Sequence, residues 1–487
     1  MKRLSYIFLS LGLVLVAGTT AFAQQNLRTG YFLDGYAYKY RINPAVQGER
    51  GFVQIPAIPS LSVGVESNLG LATVLYPTQD GGLTTFLNSS VSADEFLSKL
   101  NKNNLVTANV GVDLLSFGFR YGQSYHTVDL SVKVDAGVSL PKDIFTFLKQ
   151  GTLAQDVFNL KNIGVRASSY IELAYGYSHT IGDNISVGGR AKFLWGLAGA
   201  KARISNLDLV ANEEEWRIKG NGNIMFNVPG IYLQTRSEAG MSNSPEEDDL
   251  IAWSFEEIDP NNILNDALKH PKNFGCAFDL GVTWDFMDYF TLSASVTDLG
   301  FISWGKALTA EMTGEEFYYD GLGEISTTQK PDNTVENQFA DMGDELLAVT
   351  NFKKTGHNKR INQMLACSSH LGLEFRMPFY ERWTVGLLGT HRFDGQFSYT
   401  EGRLATGIAP LNWLSLTCNY GISEFGHSFG GMLNIHAKGF NFFLGCDSFV
   451  PLFHVTPQFI PIYNANTNLG FGILFSFGKN HGRYVSR

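Results

Sequence analysis

The sequence predicts an all-β fold, a transmembrane antiparallel up-and-down β-barrel. Three observations predict it: an export signal at the N-terminus, long stretches of strict period-two alternation, and tight turns that alternate with long connections. Composition agrees, with 51 Gly, 37 Phe and 20 Tyr but only 15 Pro, and 17% charged residues. Mean hydropathy is −0.04, a value that hides a barrel because lipid-facing and lumen-facing residues cancel.

The export signal comes first. Lys2 and Arg3 precede an apolar run from Tyr6 to Gly18, and Ala21-Phe22-Ala23 ends it with small residues at the two positions a signal peptidase reads. Residues 1–23 therefore read as a secretory signal cleaved before Gln24. A cut without a neighbouring Cys argues against a lipid anchor. Beyond it no segment has the ~18 uninterrupted apolar residues of a membrane helix. The whole chain carries a net charge of −9, and losing Lys2 and Arg3 with no acid takes the mature chain to −11. With no basic face, nucleic acid is not an expected partner.

The alternation follows. Val128, Leu130, Val132, Val134, Ala136 and Val138 alternate with Thr127, Asp129, Ser131, Lys133, Asp135 and Gly137. Successive strand side chains point to opposite faces, so one face here is apolar and the other charged. The pattern returns around Ile185–Leu197, Phe278–Phe286, Phe440–Cys446 and Phe471–Phe477. In one stretch it changes phase. Val110, Val112 and Leu114 are apolar at even positions, Phe117, Phe119 and Tyr121 at odd ones. A one-residue slip flips every side chain, which predicts a β-bulge near Leu114–Ser116. Aromatics gather at strand ends, as at Tyr175/Tyr177 and Phe379/Tyr380/Trp383, where interfacial girdles belong.

Connections complete the pattern. Tight turns are expected at Gly122–Tyr125, Gly182–Asn184, Met287–Tyr289, Pro378–Glu381 and Lys438–Gly439. Long loops are expected over 76–104, 140–162, 239–273 and 305–362. Three should contain helix: Ser92 and Glu95 form a capping box, Pro141 opens Asp143–Lys149 before Gly151, and Asn261 or Asn262 caps Ile263–Lys269. The segments make about 14 strands, or about 16 if residues 215–238 supply a membrane hairpin, and an even number puts both termini in the periplasm. The expected organisation is a signal peptide (1–23), an N-terminal periplasmic or plug segment (24–60), the barrel (61–478) and a polar tail (479–487).

Chemistry is sparse. Asp113, Asp129, Lys133, Asp135, Arg190, Lys192 and Asp279 occupy the polar phase and would line the lumen, where charges need partners. They read either as ion pairs packing the interior or as a selectivity surface. Gly426-His427-Ser428-Phe429-Gly430 matches the G-x-S-x-G nucleophile elbow, but its flanks alternate as strands and no helix follows, so a Gly-rich hairpin end is the better reading. The acidic run Glu246–Asp249, with Glu256, Glu257 and Asp259, could hold a divalent cation but fits no EF-hand spacing and reads as a solvated loop. Cys276, Cys367, Cys418 and Cys446 lie on apolar phases and read as small hydrophobes. No catalytic residue, metal site or cofactor is assigned.

Tyr40-Arg41-Ile42-Asn43-Pro44-Ala45 resembles the Asn-Pro-Ala segment near the N-terminus of long-chain fatty-acid transporter-like barrels. Ser295-Val296-Thr297-Asp298-Leu299-Gly300-Phe301-Ile302-Ser303-Trp304, Gly439–Gly445 and Asn468–Gly472 resemble segments of a related, uncharacterised family of outer-membrane barrels. The wider group also holds the barrel that shuttles cargo in type IX secretion. Many barrels end on an aromatic residue that the assembly machinery reads; here Lys479–Arg487 follows Phe477, so the signal is expected to be internal. The resemblance implies location in the outer membrane, among lipid and lipopolysaccharide. It also implies passive transport of hydrophobic or amphipathic small molecules past a plug. A plugged barrel acting as a scaffold or secretion partner is the alternative, and a hydrolase using Ser428 a third.

Overall fold

A computed structural model describes residues 27–78, 82–151, 155, 157–211, 216–228, 233–252, 273–314, 316–319, 351–449 and 466–481. The signal segment, the end of the tail and the helix expected after Asn261 lie outside the described residues.

Fourteen antiparallel strands close into a barrel. β1 is made of Gly51–Gln54 and Ser60–Ser67, followed by β2 (Asn103–Tyr121), β3 (Ser124–Pro141), β4 (Ile163–Ile181) and β5 (Ile185–Ala211). β6 (Phe274–Met287), β7 (Phe290–Met312), β8 (Phe352–Met364 and Cys367–Arg376) and β9 (Trp383–Phe393) continue the wall. β10 (Tyr399–Leu411), β11 (Leu414–Ser423), β12 (Gly426–Ile435), β13 (Asn441–Cys446) and β14 (Asn466–Phe477) complete it. Closure is through β1, which pairs with β14 on one side and β2 on the other.

The alternation has its expected physical meaning. On β6, Phe278, Leu280, Val282 and Trp284 are exposed on the outside, while Ala277 and Asp279 are 0% exposed inside. An apolar band of this extent is stable only against lipid. The β2 phase change is a bulge, with the register on β3 slipping between Asp113 and Leu115. Tight turns sit at Gly122 and Gly182, both with positive φ. By the usual barrel arrangement the end with tight turns is periplasmic.

The long strands β2 to β5, of 19, 18, 19 and 27 residues, exceed the ~9–11 needed to span a bilayer. Their excess builds a tall wall at the end away from the tight turns, whereas β13 has only 6 residues. Trp216–Asn227 pairs with the upper part of β5 and with upper β7. That hairpin therefore stands above the membrane band, which is why the count is fourteen and not sixteen. The segment expected as a loop from residue 305 is strand through Met312, carries a short strand at Glu316–Tyr319 that pairs with Trp216–Lys219, and is strand again from Phe352. In the loops, α1 (Ala93–Ser98) is capped by the Ser92 hydroxyl, which accepts the Glu95 N–H at 3.5 Å. α2 (Lys142–Gln150) follows Pro141 and ends at Gly151, φ +68°.

Residues 27–50 lie inside the barrel. This segment forms two 3₁₀ turns, Arg28–Gly30 and Ala37–Arg41, and packs Tyr36, Tyr38 and Tyr40 against Phe52 and Phe443. The barrel begins at Gly51 rather than at residue 61, because Gly51–Gln54 already pairs with both neighbours.

Candidate functional site: a plugged lumen and the vestibule above it

The plug is seated on the wall first through Asn43 and Pro44. Asn43 donates from Nδ2 to the carbonyls of Val282 (3.2 Å) and Ala294 (3.4 Å) and accepts the Ala45 N–H on Oδ1 (3.0 Å). Pro44 lies against β5 where the wall has Gly188, and a Cβ there would collide with the Pro44 carbonyl. Gly281 leaves the same room for Asn43. The Asn-Pro-Ala segment is thus the point where irregular backbone is seated on strands β5, β6 and β7.

Arg41 anchors the plug lower half. Its Nη1 meets Asp113 at 2.7 Å and its Nη2 meets Asp129 at 2.8 Å. Beyond Asp129 the charges alternate along the wall. Arg190 bridges Asp129 (2.7 Å) and Asp279 (3.0 Å), and Lys192 bridges Asp279 (2.7 Å) and Asp298 (2.6 Å). Lys133 pairs with Glu172 at 2.7 Å. Arg28 anchors the upper end, with Glu66 at 2.7 Å, Glu401 at 3.4 Å and Asp447 at 3.6 Å.

All seven charges named from the sequence face the interior. Asp113, Asp129, Arg190, Lys192 and Asp279 share one ladder, Lys133 pairs beside it, and Asp135 belongs to a separate group. There Arg166 and Arg392 each hold Asp135 and Asp394, with Asp135 at 2.5 and 2.8 Å. Sequence reasoning missed Glu172, although it lies on the polar phase of β4. It missed Asp298 for a different reason. That residue falls on the outward phase, but φ is +59° there and the resulting bulge turns its carboxylate to Lys192. The plug arginines were missed because no strand pattern contains them.

Above the plug the tall wall encloses a cavity of about 900 Å³, floored by Arg28 and Ile42. One side is apolar: Tyr170, Met225, Ile302 and Trp304 pack together with Ile361 and Leu365 behind them. The lining also carries the Asp135–Arg166–Arg392–Asp394 group, with Arg166 4.7 Å from the Phe397 ring centroid. Lys201 and Arg203 also line the cavity; both are exposed, and neither has an ion-pair partner among the described residues. Beside this cavity the strand ladder is interrupted. β8 breaks at Leu365–Ala366 opposite the Asp298 bulge, and between the pairs Phe301/Met364 and Thr297/Ser368 the Leu365 N–H donates to the Gly300 carbonyl at 3.0 Å.

Two other expectations resolve here. Ser428 points into the lumen on an antiparallel strand, beside Gly421 and near Arg403. His427 points to the opposite face, where its Nδ1 lies 2.8 Å from the Tyr420 hydroxyl. The elbow geometry is not formed. The described part of the acidic run is used structurally, Glu247 meeting Arg236 at 3.3 Å and Asp249 meeting Lys353 at 3.9 Å; Glu256, Glu257 and Asp259 lie outside the described residues. At the periplasmic end, burial pushes the His436 imidazole down to about 4, with Arg50 and Lys39 adding to the shift and Asp34 opposing it.

A closed β-barrel with an apolar exterior, an internal plug and a cavity at its tall end defines a plugged membrane barrel. Residues 44–447 match a family described as a family of unknown function (DUF5723), and the chain belongs to that family. No curated protein matches it. Among solved structures it is similar to the toluene transporter TbuX of Ralstonia pickettii, with 8% identity, 93% of this chain and 100% of that one covered, and a TM-score of 0.43. It is also similar to the toluene transporter TodX of Pseudomonas putida (10% identity, 94% and 99% covered, TM-score 0.37). A third is a Pseudomonas aeruginosa FadL homologue (11%, 94% and 98%, TM-score 0.36).

Proposed function

We propose that this protein, exported by its N-terminal signal, sits in the outer membrane and admits hydrophobic or amphipathic small molecules passively. The observation that carries this reading is the vestibule, with its apolar and charged lining. Its volume of about 900 Å³ is in the range of small-molecule pockets, and its Trp304 side offers apolar contact. Lys201 and Arg203 suit an acidic head group. The lumen below is filled by the plug, so the seam at Gly300 and Leu365 is the favoured way out, sideways into lipid. An apolar molecule leaving there avoids the charge ladder.

The test is binding of a fluorescent fatty acid to the purified protein. Ile361→Asn should weaken binding roughly tenfold, the value of about one apolar side chain. Binding that is absent in the parent, or unmoved by this change, would sink the reading. A second reading, a scaffold or secretion partner, is favoured by the filled lumen. It predicts a protein that crosslinks and co-purifies with the intact barrel; a crosslinked pulldown that recovers none would count against it.

A further inference from the structure

The charges around the plug do more than hold it. Arg28 and Arg41 are 4% exposed, and each guanidinium is met on its edge and on its face. For Arg41, Asp113 and Asp129 take the edge, Ser116 Oγ accepts from Nη2 at 2.8 Å, and the Tyr38 ring covers the face 3.8 Å from Cζ. For Arg28, Glu66, Glu401 and Asp447 surround the edge, the Tyr399 hydroxyl accepts from Nη1 at 3.1 Å, and the Tyr399 ring lies 5.9 Å from Cζ. A planar fork matched in this way is shape-specific in a manner a point charge is not.

The wall alone is anionic at both places. Around Arg28 it supplies Glu66, Glu401 and Asp447 against Arg403, with Arg392, itself held by Asp135 and Asp394, acting on Glu66 from further off. Around Arg41 it supplies Asp113 and Asp129; among the described residues Arg190 pairs with Asp129 and Lys133 acts on Asp113, but each of these cations is shared with a further carboxylate, Asp279 or Glu172. The plug's cations are therefore the counter-ions of an acidic lumen, contributed by a segment bound without being part of the sheet. A channel with low-dielectric walls and a surplus of one sign of charge concentrates ions of the other sign.

We propose that the lumen holds two guanidinium sites, one at Glu66, Glu401 and Asp447 and one at Asp113 and Asp129. The plug occupies both in cis. When a plug arginine is withdrawn, its site accepts free cations of the guanidinium class, and the lumen conducts cations.

The experiment is single-channel recording on the full-length chain, comparing the parent with Arg41→Ala and Arg28→Ala. Folding is checked by circular dichroism and heat-modifiable gel migration. Arg41→Ala should carry roughly tenfold more current than the parent, since focusing raises local counter-ion concentration by at least that much. Under a potassium chloride gradient the reversal potential should move towards the cation equilibrium value. Methylguanidinium should block the current, and tetramethylammonium, equal in charge but without a fork, should not. Arg28→Ala should behave alike. A folded variant that stays closed, conducts anions, or is blocked equally by both cations overturns the proposal. If Arg41→Ala does not fold unaided, refolding yield is read instead: rescue by methylguanidinium alone supports the site, and no rescue or equal rescue overturns it.

Discussion

Asn43 and Gly188 make the plug's position a matter of single atoms. The wall needs a glycine at 188 because any side chain would meet the Pro44 carbonyl, and rigid backbone cannot step aside as a flexible side chain can. Gly188→Ala should cost about 1–3 kcal/mol by overpacking and dislodge the plug before it unfolds the barrel. Protease access to residues 27–50 reads this, and cleavage no faster than in the parent would refute it. His436 makes a prediction about pH. Gly35, at φ +75°, leaves room for the His436 ring, and Ser415 Oγ lies 2.8 Å from Nε2. Folded His436 binds its proton less tightly than the free side chain, so the opened state takes up more protons between about pH 4 and 6.5. The packed periplasmic end should therefore lose about 3 kcal/mol as pH falls through that window and change little below it. His436→Gln should flatten this dependence; an unchanged slope in thermal melts would exclude His436 as its source.

Among the elements, β1 shows how a strand can be interrupted inside lipid. Ile55 to Pro59 leaves the ladder and turns outward, with Ile55 and Ile58 36% and 37% exposed. Backbone carbonyls facing hydrocarbon are costly, and here the buried Gln54 side chain answers two of them, donating from Nε2 to Ile55 O at 2.7 Å and Ile58 O at 3.1 Å. Gln54→Ala should destabilise the barrel by about 1–3 kcal/mol, the cost of an unsatisfied buried group, seen as a lower urea midpoint in lipid vesicles. Gln54→Glu keeps the size but not the donor and should do no better. β7 shows the limit of reading faces from alternation. Up to Thr297 its odd positions face inward, and from Gly300 to Trp304 its even ones do, because Asp298 takes a left-handed conformation. The φ at Asp298 decides which side of the wall carries the residues up to Trp304, before a second left-handed residue, Lys306 at φ +58°, shifts the register again. In β2 the same event was legible, since apolar residues flank the slip on both sides; in β7 the bulge residue is itself charged and masks it.

For the whole molecule, height and filling set what can pass. The tall side of the wall creates the vestibule, and the plug closes the lumen beneath it. The parent protein in a bilayer should accordingly show little steady ion current while still binding an apolar fluorescent ligand. A large ohmic conductance in the parent would mean that the plug does not seal, and the charge ladder would then act as a selectivity surface from the outset. Removing a single ladder partner such as Arg190 should cost about 3–5 kcal/mol, because it leaves buried carboxylates uncompensated. Removing Lys219, whose pair with Glu316 is exposed, should cost under about 1 kcal/mol.

The barrel class, the lipid-facing phase of most strands, the tight turns, the β2 bulge and the two capped loop helices are written in the sequence by itself. Each depends on neighbours a few positions apart, through strand pleat, turn conformation or helix capping, so a local pattern is enough to encode it. The same pattern placed seven charges on the inner face. It could not say which of them pair, because the partners come from different strands. Arg28 and Asp447 are separated by 419 positions, and Arg41 meets Asp113 and Asp129 only once the barrel has closed around the plug. The vestibule, the seam beside it and the counter-ion role of the plug arose at that same step. They follow from wall height, register and the burial of charge, which exist only when the sheet joins its own first strand.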